Sequence, residues 1–477
     1  TVHHVEVSVS GNIKVAGSGS GRIGRIESPI EFTSTGSVSL ISDRYTLELN
    51  DSTTFAGVEL GTLSGSSPDF GAIVQNGDLS VTADSIIEIG IYDWDGNDSA
   101  IPSTTTVNSG VTLSIKADGI GPLGSENQYA GTLNLQGATL AMDIPASHWE
   151  ITGRVNLVES GSILPSITGI DLVTDGGDIY GNGSIDVPAT FSSGSTIEVS
   201  SGGTIQLNEA VTYDGARFVG LGTLEQNADA TVTRSTTIAV ETFDWDGMGS
   251  ADTTIPFGKV LTIQVPYLED FDSTLNIDHG ELAITVDTAW RMDGTLNLTG
   301  SGIQYGRLVN AGGTSTMQVG GAINISGNTY IAVPIQLDHT AVVSLADSSD
   351  NLTLGGESTF SGGSFSGDGL LIQNAAVTID ATTLVDLGVY DMDGADEDTS
   401  IDVENGAFQV KVNTIDDGSN IFDGKLNVAA SQKAEIQTFF SKKVSAAESD
   451  DFRVFVPILA PLLGSIPIPT LYCIKHE

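Results

Sequence analysis

Apolar and polar positions alternate with a period of two along most of the chain, in runs of four or five residues. Thr196-Ile197-Glu198-Val199 and Thr204-Ile205-Gln206-Leu207 are representative, and Ser200-Ser201-Gly202-Gly203 separates them. Such alternation puts every second side chain on one face, which predicts short β-strands joined by Gly, Ser, Asn and Asp turns. A helical period appears only near residues 429–440. The chain is therefore expected to be all-β.

The strands repeat on two scales. Tyr92-Asp93-Trp94-Asp95-Gly96, Phe243-Asp244-Trp245-Asp246-Gly247 and Tyr390-Asp391-Met392-Asp393-Gly394 mark units of roughly 150 residues. Gly131-Thr132-Leu133-Asn134-Leu135, Ser273-Thr274-Leu275-Asn276-Ile277 and Gly424-Lys425-Leu426-Asn427-Val428 follow them in the same order. Within a unit, Val155-Asn156-Leu157 follows the first Asn-centred strand and Leu296-Asn297-Leu298 the second, each after about 21–22 residues. Stacked supersecondary units that cannot bury an apolar face alone have periods of this order. The fine period predicts a parallel β-solenoid of about 20 rungs, continuous over residues 1–430. Its long repeats run over about 55–217, 218–364 and a partial 365–430. Tandem β-sandwich domains are the alternative. Residues 431–477 depart from the pattern: Pro457, Pro461, Pro467 and Pro469 interrupt an apolar run from Val454 to Ile474. Four prolines oppose an uninterrupted spanning helix, so the segment reads as a docking or capping tail, or as sequence foreign to the fold.

Charge narrows the partners. Eighteen Lys and Arg stand against 61 Asp and Glu, a formal net charge of -43 over 477 residues. A surface this acidic is repelled by phosphate backbones and anionic lipids, so neither nucleic-acid binding nor membrane insertion is expected. With 39% hydrophobic residues the chain is too apolar to stay unfolded. Cys473 is the one cysteine, which excludes an internal disulfide and a cysteine zinc site. No basic stretch leading into an apolar one opens the sequence, so a mature form or a fragment is expected.

The aspartate motif is the best place for chemistry. On an extended strand Phe243 and Trp245 face one way and Asp244 and Asp246 the other, which sets two carboxylates about 7 Å apart before a glycine turn. Asn97, Asp98, Asp252, Asp396, Glu397 and Asp398 offer further oxygens. Clustered carboxylates suit a hard cation, so Asp93, Asp95, Asp98, Asp244, Asp246, Asp391, Asp393 and Asp396 are the candidate ligands for calcium (Ca2+). The competing reading is an aromatic pair that plugs the core while solvated aspartates cap a turn. Repetition argues against catalysis, which needs one asymmetric constellation. Gly19-Ser20-Gly21-Arg22-Ile23-Gly24 has dinucleotide spelling but no helix to follow it. His3, His4, His148, His279, His339 and His476 show no metal-ligand spacing and read as ordinary surface or core histidines. No serine sits in a nucleophile-elbow context. Leucine burial outweighs amide pairing, so the Leu-Asn-Leu strands should turn leucines inward and Asn134, Asn276 and Asn427 outward; stacked asparagine ladders are expected only in the opposite register.

The Gly-Thr-Leu-Asn-Leu strands, the Phe-x-Gly-x-Gly-x-Leu rungs at Phe218–Leu224 and Phe365–Leu371, and the Gly-, Ser- and Asp-rich turns resemble the large secreted right-handed β-helix proteins of bacteria, among them autotransporter passengers and haemagglutinin-like adhesins. The likeness covers roughly residues 10–430 as repeat style. It implies a secreted or cell-surface, non-enzymatic structural or adhesive rod. Self-association into oligomers or fibres and binding to a glycan or cell-surface receptor go with that role. It carries no catalytic residue onto this chain. A polysaccharide-active β-helix enzyme, a lyase or glycoside hydrolase, is the alternative.

Overall fold

The computed structural model describes residues 7–15, 22–40, 45–61, 71–94, 103–120, 127–144, 148–247, 250–312, 315–392, 394, 399–415, 425–428 and 433–438. These residues hold no helix, and their parallel strands stack in a β-solenoid of about 15 turns. That is fewer than the roughly 20 expected, and the rungs differ in length, from 17 residues (Leu172 to Ala189) to 28 (Val107 to Leu135). Two compact units divide the chain, Thr1–Gly249 and Ser250–Glu477.

In the first unit one turn consists of Thr132–Gln136, Thr139–Asp143 and Trp149–Ile151, and the next of Arg154–Val158, Ser166–Thr168 and Leu172–Thr174. Each strand bonds in parallel to the strand one turn on: Leu133 opposite Val155, Leu140 opposite Ile167 and Trp149 opposite Leu172. The second unit repeats the plan. Thr274–Asp278, Glu281–Val286 and Trp290–Met292 pair with Thr295–Thr299, Gly306–Asn310 and Met317–Val319. A sandwich would pair antiparallel neighbours in sequence. Thr196–Val199 instead bonds to Arg217–Gly220, and Thr204–Leu207 to Thr223–Gln226, so the Ser200–Gly203 turn is a corner and not a hairpin.

Alternation drives this stacking. Leu133, Leu135, Leu275, Ile277, Leu296 and Leu298 are fully buried, while Thr132, Asn134, Thr274 and Asn276 face outward. Each buried side chain stabilises the stack by roughly 1.5–3 kcal/mol. The Phe-x-Gly-x-Gly-x-Leu motif has a steric cause: Gly220 and Gly367 adopt φ of +126° and +127°, and a Cβ at either would overlap the carbonyl of the rung below, Val199 or Leu345. Residues 433–438 form a further parallel strand against Ala407–Ile415 rather than part of a helix. Lys433, Glu435 and Gln437 alternate with Ala434, Ile436 and Thr438, and a ready sheet edge selects that period of two over the helical one.

Candidate functional site

The strands Ser85–Asp93, Thr242–Asp244 and Thr383–Asp391 all end on the first aspartate of the repeated motif. Tyr92, Phe243 and Tyr390 before it, and Trp94, Trp245 and Met392 after it, are fully buried. Ring centroids lie 6.2 Å apart in the Tyr92–Trp94 pair and 6.1 Å apart in Phe243–Trp245. The chain then turns sharply. Asp244 Oδ1 accepts the Gly247 amide at 2.9 Å, and Asp391 Oδ1 accepts the Gly394 amide at 2.8 Å. Gly247 and Gly394 have φ of +51° and +54°, in the left-handed region. A Cβ there would strike the side-chain oxygen of Asn227 or Asn374, each from the preceding rung.

This geometry modifies the expected one. Because the strand stops at Asp244, Asp246 does not continue on the outer face two residues along; it is 5% exposed. Asp93 and Asp391 are likewise buried, at 0% and 6%, and Asp244 is half-buried, so these carboxylates are less solvated than expected. Burial raises the Asp244 carboxyl above its ordinary value. The Gly247 amide opposes that shift, and Glu225, its partner in register, adds to it. Asp252 spends Oδ1 on the Thr274 amide at 2.9 Å. Among the described residues no three His, Cys, Asp or Glu side chains converge as a metal site requires. Asp95, Asn97, Asp98, Asp393, Asp396, Glu397 and Asp398 lie outside the described residues.

Two features escaped the sequence reading. The first is a buried glutamine one rung before each motif: Gln75, Gln226 and Gln373 are all 0% exposed. Gln75 Nε2 donates to Thr53 Oγ1 and the Gly77 carbonyl, Gln373 Nε2 donates to the Ala375 carbonyl, and Gln226 Oε1 accepts the Tyr213 hydroxyl at 2.8 Å. The recurrent pairs Gln75-Asn76, Gln226-Asn227 and Gln373-Asn374 were the available signal.

The second concerns the asparagines. Leucines face inward as expected, yet the outward asparagines stack as well: Asn156 Nδ2 donates to Asn134 Oδ1 at 2.7 Å, Asn297 to Asn276 at 2.8 Å and Asn324 to Asn297 at 2.9 Å. Ladder and leucine burial are therefore compatible, not alternatives. Parallel in-register pairing aligns outer side chains as faithfully as inner ones, so both occur. Similar ladders run Asn76 to Asn50 to Glu27 and Asn227 to Asn208. The side chain of Asn427 lies outside the described residues. Chemically, the described part of this site can cap turns and hold adjacent rungs in register.

No family model, curated protein or solved structure matches the chain.

Proposed function

We propose that the chain is a secreted structural or adhesive surface protein, an acidic β-solenoid whose repeated turns build a scaffold. One observation supports this reading most. The same turn, capped by a strand-terminal aspartate and crowded by an asparagine from the rung before, occurs at Asp244, Gly247 and Asn227 and again at Asp391, Gly394 and Asn374. Geometry that recurs at the long period serves stacking, whereas a reaction needs a single asymmetric arrangement. A net charge of -43 keeps copies apart until cations screen it, which would make self-association sensitive to salt. The partners are a second copy of the chain and a glycan or receptor at a cell surface.

Fractionation of producing cells and an attachment assay on a deletion strain test the reading. Surface or medium location with weakened attachment or matrix cohesion supports it, and an intracellular protein whose loss changes neither removes it. Calcium belongs to the proposal as stabiliser of the aspartate turns. Millimolar calcium should then raise the melting temperature of the wild type more than that of Asp391→Asn. Equal melting with calcium and with chelator removes calcium and leaves the scaffold.

A further inference from the structure

His279 is the one non-glycine residue with positive φ among the described residues, at +56°. Its imidazole lies between two side chains. Nδ1 is 2.6 Å from Asp278 Oδ1, and Nε2 is 2.9 Å from Ser301 Oγ, on the next rung. An ionised carboxylate only accepts, so the proton sits on Nδ1, and the neutral ring then offers Nε2 as acceptor for the Ser301 hydroxyl. Aspartate on one ring nitrogen and serine on the other is the arrangement in which histidine activates a serine nucleophile.

The corresponding place in the first unit shows that the turn does not require this chain of bonds. Gly137 occupies the equivalent of position 279 with φ of +57°, and Ser160 the equivalent of 301. The backbone bonds are retained: the Gly137 amide donates to Val158 at 2.7 Å, as the His279 amide does to Thr299 at 2.8 Å. The Ser160–Ile163 turn likewise closes as Ser301–Gln304 does. Glycine adopts this conformation without steric cost, whereas a histidine there holds strain of the sort that collects at functional sites. The constellation breaks the repeat, and it is asymmetric.

Its surroundings fit an acyl group. Ile303 is 92% exposed and Phe257 57%, the Phe257 ring lies 6.1 Å from the imidazole, and Tyr305 is also exposed. Neither Gly302 nor Ile303 donates its amide to another backbone group among the described residues, so both are free to receive a developing oxyanion beside Ser301.

We propose that Asp278, His279 and Ser301 form an acyl-transfer site that hydrolyses uncharged carboxylic esters carrying an apolar group. Ser301 Oγ bonds to the ester carbonyl carbon as its proton passes to His279 Nε2. The tetrahedral adduct collapses with cleavage of the carbon–alkoxy bond, and the alcohol leaves with the Nε2 proton. Water, deprotonated by Nε2, then attacks the acyl carbon and releases the acid, restoring the serine. Asp278 holds the ring and its tautomer. The activity goes beyond the scaffold role, and its failure leaves that role standing.

The test uses the full chain, p-nitrophenyl butyrate and an alkyl fluorophosphonate. The wild type should turn over the ester roughly 10²-fold faster than Ser301→Ala. The phosphonate should add its mass to the Ser301 peptide alone, and Ser160→Ala should react as the wild type does. His279→Gly, which copies the first unit, should retain the fold and lose the reaction. Equal rates in wild type and Ser301→Ala, or a phosphonate that leaves Ser301 unlabelled, overturn the proposal.

Discussion

The Arg291 guanidinium crosses one rung to reach Asp338, 47 residues further along the chain, where Nη1 donates to Oδ2 at 2.6 Å. Its Nε donates to Asp293 Oδ2, also at 2.6 Å, and the two carboxylates hold the guanidinium firmly protonated. The crossing is open because Gly320 stands on the intervening rung, and a Cβ there would run into Asp293 Oδ1 and Arg291 Nη2. Gly320→Ala should therefore break the clasp. We expect it and Asp338→Asn each to cost about 1 kcal/mol, the upper end for partly exposed pairs. The double variant should cost less than the two separately, as judged by melting temperature, because both remove one interaction. Full additivity would show that Gly320 and the clasp are independent.

The asparagine ladder and the leucines beside it can be ranked. Asn297 is half-buried, between Asn276 and Asn324, and its neighbours' freed groups have access to water. Asn297→Ala should cost about 0.5–1 kcal/mol. Leu296 is fully buried on the other face of the same strand, so Leu296→Ala should cost about 2–5 kcal/mol. Chemical denaturation of the two variants checks the order, and equal losses would mean that amide stacking matters as much as the core.

Asp244 should make stability depend on pH. Its folded-state pKa is raised above 3.8 by burial, so the folded chain holds this proton more tightly than the unfolded chain does. That contribution is complete in acid and is lost as pH rises through the raised pKa. Asp244→Asn keeps an acceptor for the Gly247 amide and removes the charge. At pH 7 the variant should melt no lower than the wild type, and any advantage should shrink as pH falls toward about 4. An advantage that persists unchanged in acid would assign the effect to something other than ionisation.

Tyr213 bonds to Gln226 inside the core. Its hydroxyl is buried and donates to Gln226 Oε1 at 2.8 Å, and burial pushes the phenol far above its ordinary range. Tyr213→Phe keeps the ring packing against Phe218 and deletes that donor inside the core. A loss of about 1–3 kcal/mol is expected from an equilibrium melt. A neutral result would show that the glutamine finds an equivalent donor.

Much of the architecture was legible in the sequence. Alternation with a period of two marked Thr132–Gln136 and Thr295–Thr299 as strands and their leucines as core, because burial acts on each strand locally and dominates its energetics. Recurrent asparagine-centred segments about 22 residues apart marked the stacking, since each rung needs a neighbour to cover its apolar face. The aromatic plug and the turn-capping role of Asp244 were legible too, although Asp246 turned inward once the strand ended early. Which outer residue stands above which was decided only in three dimensions. Rungs vary from 17 to 28 residues, so no constant period places Ser301 over His279 or clears Gly320 beneath Arg291. Local alternation selects the face a side chain takes; the length of each corner, settled by packing of the whole stack, selects its vertical neighbour.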